Sequence, residues 1–275
     1  MNKLKRQLGI YTLTLAIFAL VCPVNAHADT ITIKGSTTVL PIAQACAESY
    51  MDQNPSVNIS VQGGGSGVGI ASIIDGTADI GDASRPIKNA ELSSAISRGK
   101  DPKAHVVAMD GIAVIVNNAN RISAISKKDL KAIYTGGISS WSDVGGSGGK
   151  IVVIGRDSAS GTFEAFTELA LHKAKTRPDA LLEASNAAVK QVVQTTPGAI
   201  GYVGLGYVDS TVKAIPVDGV MPKEETVLSG TYALARPLFM YTNGKPTGAI
   251  KNFMDFVLSW EGQSLAKENG FVPLK

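Results

Sequence analysis

The chain has 275 residues, 26 Lys and Arg against 23 Asp and Glu, and 18% charged residues overall. Lys3, Lys5 and Arg6 precede an apolar run from Ile10 to Val21, and Ala26-His27-Ala28 has the small, any, small form of an export cleavage site. Residues 1–28 therefore read as a cleaved signal peptide for export, with Asp29 the new N-terminus. That segment takes three basic residues and no acidic ones with it, so the remaining chain carries 23 of each. No net positive charge favours nucleic acid, and no later apolar run is long enough to span a bilayer.

Cys22 raises a lipoprotein alternative, but branched Val21 stands where a small residue is wanted. Cys46 is then the only cysteine left, so no internal disulfide forms, and its helical neighbours Ala43, Ala47 and Tyr50 suit a buried core thiol. The remaining length, about 247 residues, suits one large domain or two ordinary ones.

In chain order, a strand is expected at 31–33, a helix at 39–51, a strand at 57–61, a short helix at 68–74 and a strand end at 78–81. This alternation is the order of a doubly wound α/β sheet. The apolar stretch from Val106 to Val116 reads as a strand covered on both faces. A helix at 127–134, a Gly/Ser loop at 136–149, a strand at 151–154 and helices at 162–172 and 186–194 follow. Strands at 199–203, 212–217 and 239–241 then precede a helix at 248–258. Apolar crossings near 106–116 and 231–243 imply a chain that leaves one lobe, builds a second and returns. The expected division is 29–112 with 235–275 as the first lobe and 113–234 as the second, with ligand in the cleft between them.

Three short turns, Gly35-Ser36-Thr37-Thr38, Gly64-Gly65-Ser66-Gly67 and Ser158-Ala159-Ser160-Gly161-Thr162, each stand in front of a helical segment. Helix starts offer unpaired N–H groups and partial positive charge, so three facing one point would cage an oxyanion. Thr37 and Thr38 alone are compatible with ordinary capping. The run of glycines at 63–67 is not, because it costs backbone entropy unless something must approach closely. Arg156, just past a strand end, and Arg85, after the 78–81 strand, lie where α/β sheets place ligands. Asp82 and Asp157 are expected to orient these arginines.

Enzyme patterns fail. Gly149-Lys150 lacks both the upstream glycine, position 144 being Val144, and a following hydroxyl, so it is no nucleotide loop. Ser66 has Gly64 before it but Val68 after, so it is no nucleophile elbow. His105 and His172 lack metal spacing or a nucleophile partner. No cofactor or metal is expected.

Taken with Gly35-Ser36-Thr37-Thr38-Val39-Leu40-Pro41-Ile42, Gly63-Gly64-Gly65-Ser66-Gly67, Ile138-Ser139-Ser140-Trp141-Ser142-Asp143-Val144, Arg156-Asp157-Ser158-Ala159-Ser160-Gly161-Thr162, Gly198-Ala199-Ile200-Gly201-Tyr202, Arg236-Pro237-Leu238 and Asn269-Gly270-Phe271-Val272-Pro273-Leu274, the chain resembles the periplasmic phosphate-binding proteins that feed ABC importers. The resemblance implies a type II periplasmic binding fold, each lobe a doubly wound sheet flanked by helices. It implies phosphate held by Thr37, the backbone at Thr38, Ser66, Arg156, Ser160, Gly161 and Thr162, with Ser84 and Arg85 completing the cage. Some members have an Asp at the position of Ser84, accepting the proton of phosphate; Ser84-Arg85 resembles the family's other common variant. The implied partners are inorganic phosphate and a membrane permease, and the implied state is a monomer. The alternatives are a receptor for sulfate, molybdate or tungstate, or an exported phosphatase.

Overall fold

The computed structural model describes residues 29–274; the expected signal peptide lies outside the described residues. In chain order the elements are β1 (Asp29–Gly35), α1 (Leu40–Gln53), β2 (Val57–Gly63), α2 (Ser66–Asp75), β3 (Ile80–Ala83), α3 (Asn89–Ser97) and β4 (Pro102–Asn117). They continue with α4 (Lys127–Thr135), β5 (Val152–Arg156), α5 (Gly161–Leu169), β6 (Leu181–Glu183), α6 (Asn186–Thr195), β7 (Ala199–Gly204) and β8 (Val212–Ala214). The chain ends with α7 (Glu224–Leu228), β9 (Ala235–Asn243), α8 (Gly248–Val257) and α9 (Trp260–Glu268).

The strands run in the order β2-β1-β3-β9-β4-β7-β5-β6, with β8 also paired to β4. β1 pairs in parallel with β2 and β3, and β5 in parallel with β6 and β7. Antiparallel β4 and β9 join these two parallel sets. β4 is 16 residues long, and its partner changes along its length: Pro102 to Gly111 lie against β9, and Ile112 to Val116 against β7. One buried core gathers Ile33, Ile42, Cys46, Leu238 and Phe253 under α1 and α8, with Ile70, Ile73 and Ala95 covering the other face of that sheet half. The second lobe packs Val114, Leu130, Tyr134, Trp141, Phe166 and Tyr202 on one side and Ile154, Val189 and Val193 on the other. The result is a two-lobed α/β protein, as expected.

The differences from the expected elements have local causes. The helix expected at 162–172 stops at Leu169, because His172 and Lys173 take the left-handed conformation at φ 51° and 66°. The strand expected at 212–217 is ordered as strand only to Ala214, and Val217 continues as isolated bridges to Ile125 and Val220. Within the 136–149 loop, Trp141–Val144 forms a 3-10 turn pinned by Trp141 Nε1 donating to the Gly198 carbonyl.

Candidate functional site

All nine expected site residues are buried. The β1 turn, the start of α2 and the start of α5 lie against one another: Gly67 N donates to the Ala159 carbonyl at 3.0 Å, and the Thr38 and Thr162 hydroxyls are 2.8 Å apart. A Cβ on Gly161 would stand 2.2 Å from Ser66 Oγ and 2.8 Å from Ser84 Oγ, so only glycine lets the α5 terminus reach these hydroxyls. Gly65, at φ 96°, has the same role toward Ala159, whose carbonyl would meet an added Cβ at 2.5 Å.

Arg156 ends β5 and is 1% exposed. Its Nε donates to the Glu183 carbonyl at 3.0 Å, and Nη2 donates to the Ala184 carbonyl and Thr37 Oγ1 at 3.0 and 3.2 Å. Nη1 is buried and has no partner. Burial draws the pKa of this guanidinium down, with Tyr202 and Asp157 pulling the other way. An arginine nevertheless keeps its proton, so the site holds a desolvated cation with two unused N–H bonds.

Two residues outside the expected set complete the network. Arg236, buried at the start of β9, pairs with buried Asp110 at 2.9 Å and donates through Nη2 to Thr162 Oγ1 at 2.9 Å and Thr38 Oγ1 at 3.4 Å. Asn186, the first residue of α6, donates through Nδ2 to Thr37 Oγ1 and Thr38 Oγ1 at 3.1 and 3.0 Å. Its amide orientation is fixed because Oδ1 accepts from Gly204 N at 3.1 Å. Resemblance could have flagged Arg236, which stands in the family-like Arg236-Pro237-Leu238 motif. No local pattern marks Asn186.

These donors constrain the polarity of the hydroxyls. A hydroxyl has two acceptor positions and one proton. Thr37 Oγ1 accepts from Arg156 and Asn186, so its own proton can only be given away. Thr38 Oγ1 accepts from Asn186 at 3.0 Å and shares a hydrogen bond with Thr162 Oγ1 in which either hydroxyl can be the donor, and Arg236 Nη2 lies 2.9 Å from Thr162 Oγ1 and 3.4 Å from Thr38 Oγ1. Ser66 Oγ accepts from Ser84 N at 2.9 Å, and Ser160 Oγ from Phe163 N at 3.2 Å. Among the described residues, Ser84 Oγ is the cage hydroxyl that receives no N–H, its one contact being Ser66 Oγ at 3.3 Å. Arg156 and the oriented Thr37 hydroxyl thus suit deprotonated oxygens, and Ser84 alone is fully open to accept a proton.

Three expectations are corrected. Arg85 faces carboxylates and not the cage hydroxyls in this structure: Nη1 and Nη2 donate to Glu91 at 2.8 and 2.7 Å, and Nε lies 3.0 Å from Glu164 Oε1 as an ion pair without hydrogen-bond alignment. Burial alone would lower its pKa, but these two carboxylates outweigh it and raise the pKa. Asp157 does not orient Arg156; its Oδ1 accepts from Ala159 N at 3.1 Å and shapes the turn. Asp82 does not orient Arg85 either. It is buried with Oδ1 unpartnered, and desolvation pushes its pKa well up. Among the described residues no His, Cys, Asp and Glu cluster fit for a metal occurs, and no helix is long and apolar enough to cross a membrane.

Residues 23–261 match the family model described as the PBP superfamily domain. The chain is 36% identical over 249 residues to the phosphate-binding protein PstS of Bacillus subtilis strain 168, covering 89% of this chain and 80% of that one. A crystal structure from Clostridium perfringens, of a substrate-binding protein assigned to phosphate ABC transport and holding phosphate, is 34% identical. It superposes with a TM-score of 0.85 over 90% of this chain and 100% of its own. An ABC-type phosphate transport receptor from Vibrio cholerae is 33% identical, with a TM-score of 0.73 over 88% of this chain and 99% of its own. With a matching family model, relatives along almost its whole described length and the same two-lobed structure, the chain belongs to the PBP superfamily and, within it, to the PstS family of ABC-importer substrate-binding proteins.

Proposed function

We propose that this protein captures inorganic phosphate in the cleft between its lobes and delivers it to the permease of an ABC importer. The observation that carries the reading is Arg156 Nη1: a buried cationic donor with no carboxylate and no partner, beside the Thr37 hydroxyl, which already accepts two N–H bonds and has its own proton to give. Thr37, Ser66, Ser160, Thr162 and the Gly161 N–H at the start of α5 would supply the remaining donors, joined by the Thr38 N–H once it leaves Ser36 Oγ, to which it donates at 3.1 Å in this structure. Ser84 Oγ would accept the proton that phosphate carries and sulfate lacks. The phosphate named for the Bacillus subtilis relative and bound in the Clostridium perfringens structure supports this choice of ligand.

The proposal includes lobe limits at 29–112 with 235–275 and at 113–234, supported by the change of partner along β4 between Gly111 and Ile112. Donors added by the second lobe would favour the closed arrangement by population shift. Residues 1–28 would be removed after export, and the protein would act in the periplasm as a monomer. Calorimetric titration with phosphate, sulfate and molybdate tests the function. Tight phosphate binding that survives excess sulfate is the expected result. Preference for another oxyanion overturns it, as does turnover of a phosphate ester in a phosphate-release assay.

A further inference from the structure

Arg85, lost to the cage, belongs to an ion network that joins the two lobes. Its guanidinium is held from its own side by Glu91 of α3, which accepts from both Nη1 and Nη2, and by the Pro86 carbonyl at 2.9 Å. Glu91 is itself anchored by Lys88 N at 2.8 Å. Nε faces the other lobe, 3.0 Å from Glu164 Oε1 in an ion pair that is not aligned as a hydrogen bond, while Lys88 Nζ takes Glu164 Oε2 at 2.7 Å. Glu164 stands in the first turn of α5, the helix whose Gly161 and Thr162 form the cage wall, so it moves with that wall.

Resting on the phosphate-capture reading above, we propose that Glu164 is a closure latch: a positioning residue that grips Arg85 and Lys88 only when the lobes are together and so sets how long phosphate is held. Separation of the lobes would break both Glu164 pairs and leave Arg85 with Glu91. Arg85 is therefore never stranded, and within this ion network Glu164 is the member that loses both of its partners on opening. A cavity of about 550 Å³ lined by Arg85, Lys88, Glu164 and Pro237 adjoins the network, so water and salt reach it from one side. Lys88, 51% exposed, is the screened arm, and Arg85, at 6%, the sheltered one.

The test compares wild type, Glu164→Gln, Lys88→Gln and the double variant in stopped-flow phosphate binding. Glu164→Gln is expected to raise the release rate roughly three- to tenfold with association within about twofold, since interactions that form after encounter act on dissociation. Lys88→Gln should raise it less, and in the Glu164→Gln background should add nothing, because the pair it would break is already gone. About 1 M salt, with a Debye length near 3 Å, should bring the wild type toward the variant. X-ray scattering without phosphate gives a second reading: at low salt Glu164→Gln should be more expanded than wild type at an unchanged unfolding temperature. Release and scattering equal to wild type, or a Lys88→Gln effect that persists in full without Glu164, overturns the latch. A wild type that binds no phosphate sinks the functional reading, and the scattering comparison then decides the latch by itself.

Discussion

Arg156 at the end of β5 and Arg236 at the start of β9 serve the same group of threonines, yet their charges are balanced differently. Arg236 has a buried carboxylate partner in Asp110, which accepts from Nε and Nη2 at 3.1 and 2.9 Å and is itself steadied by Leu205 N at 2.8 Å. Arg156 has two carbonyls and one hydroxyl, and its Nη1 has nothing. A desolvated ion pair is complete within the protein, whereas a desolvated lone cation is stabilised by whatever anion enters. One arginine therefore builds the wall and the other awaits the ligand.

The largest expected effect separates these roles directly. Arg156→Ala removes two charge-assisted donors, worth together about 3–6 kcal/mol, so phosphate affinity should fall roughly 10²- to 10⁴-fold by calorimetry. Unfolding in phosphate-free buffer should change little, because relief of the uncompensated buried charge offsets the lost hydrogen bonds to Glu183, Ala184 and Thr37. Unchanged phosphate binding would sink the site assignment. Asp110→Asn should do the reverse. It leaves Arg236 buried without its counter-charge, at a cost of about 3 kcal/mol in phosphate-free stability by denaturant unfolding. Wild-type stability in that variant would erase the distinction between the two arginines.

A smaller effect is expected where the two lobes meet. The Cβ of Gly161→Ala would overlap Ser66 Oγ, which sits at 2.2 Å, and overpacking of this kind costs about 1–3 kcal/mol. Because the clash crosses the cleft, the loss should appear as phosphate affinity some five- to a hundredfold weaker, with little change in the unfolding of the phosphate-free protein. Loss of stability with intact affinity would place the clash inside one lobe instead.

How far the sequence led depends on whether the relevant contact was local. The three hydroxyl turns were legible because strand end, small residues and helix start are neighbours in the chain, and Arg156 because it follows such a strand end. Arg236 was marked only by its family-like motif and Asn186 by nothing, since their threonine partners are up to 198 residues away and only the packed lobes bring them together. Arg85 was misplaced for a different reason. Ser84 and Arg85 stand in the bend that follows β3, where no regular alternation fixes side-chain direction, and there Ser84 turns toward Ser66 while Arg85 turns toward Glu91 and Glu164. The alternation β-α-β-α-β gave the fold class, but α3, β6, α7 and α9 have too few patterned apolar residues to be read before their partners are known.

Arg85 is a third way of balancing a buried arginine, with two carboxylates, and it makes the smallest and most pH-specific prediction. Burial works against the charge of Glu91, but the hydrogen bonds from Arg85 and from Lys88 N, with the charges of both residues, outweigh it and hold the Glu91 pKa below its ordinary value. A carboxyl whose pKa is lower folded than unfolded stabilises the fold fully above the ordinary carboxylate range. That contribution is lost as pH falls through the depressed folded value. Glu91→Gln should therefore cost at most about 1 kcal/mol near neutral pH, the pair being partly open to solvent and salt. The gap between variant and wild type should close on acidification below about pH 4. Denaturant unfolding of both proteins across that range measures it. A gap that stays constant with pH would mean that Glu91 acts through packing rather than charge, and Arg85 would then depend on Glu164 for its balance in the closed form.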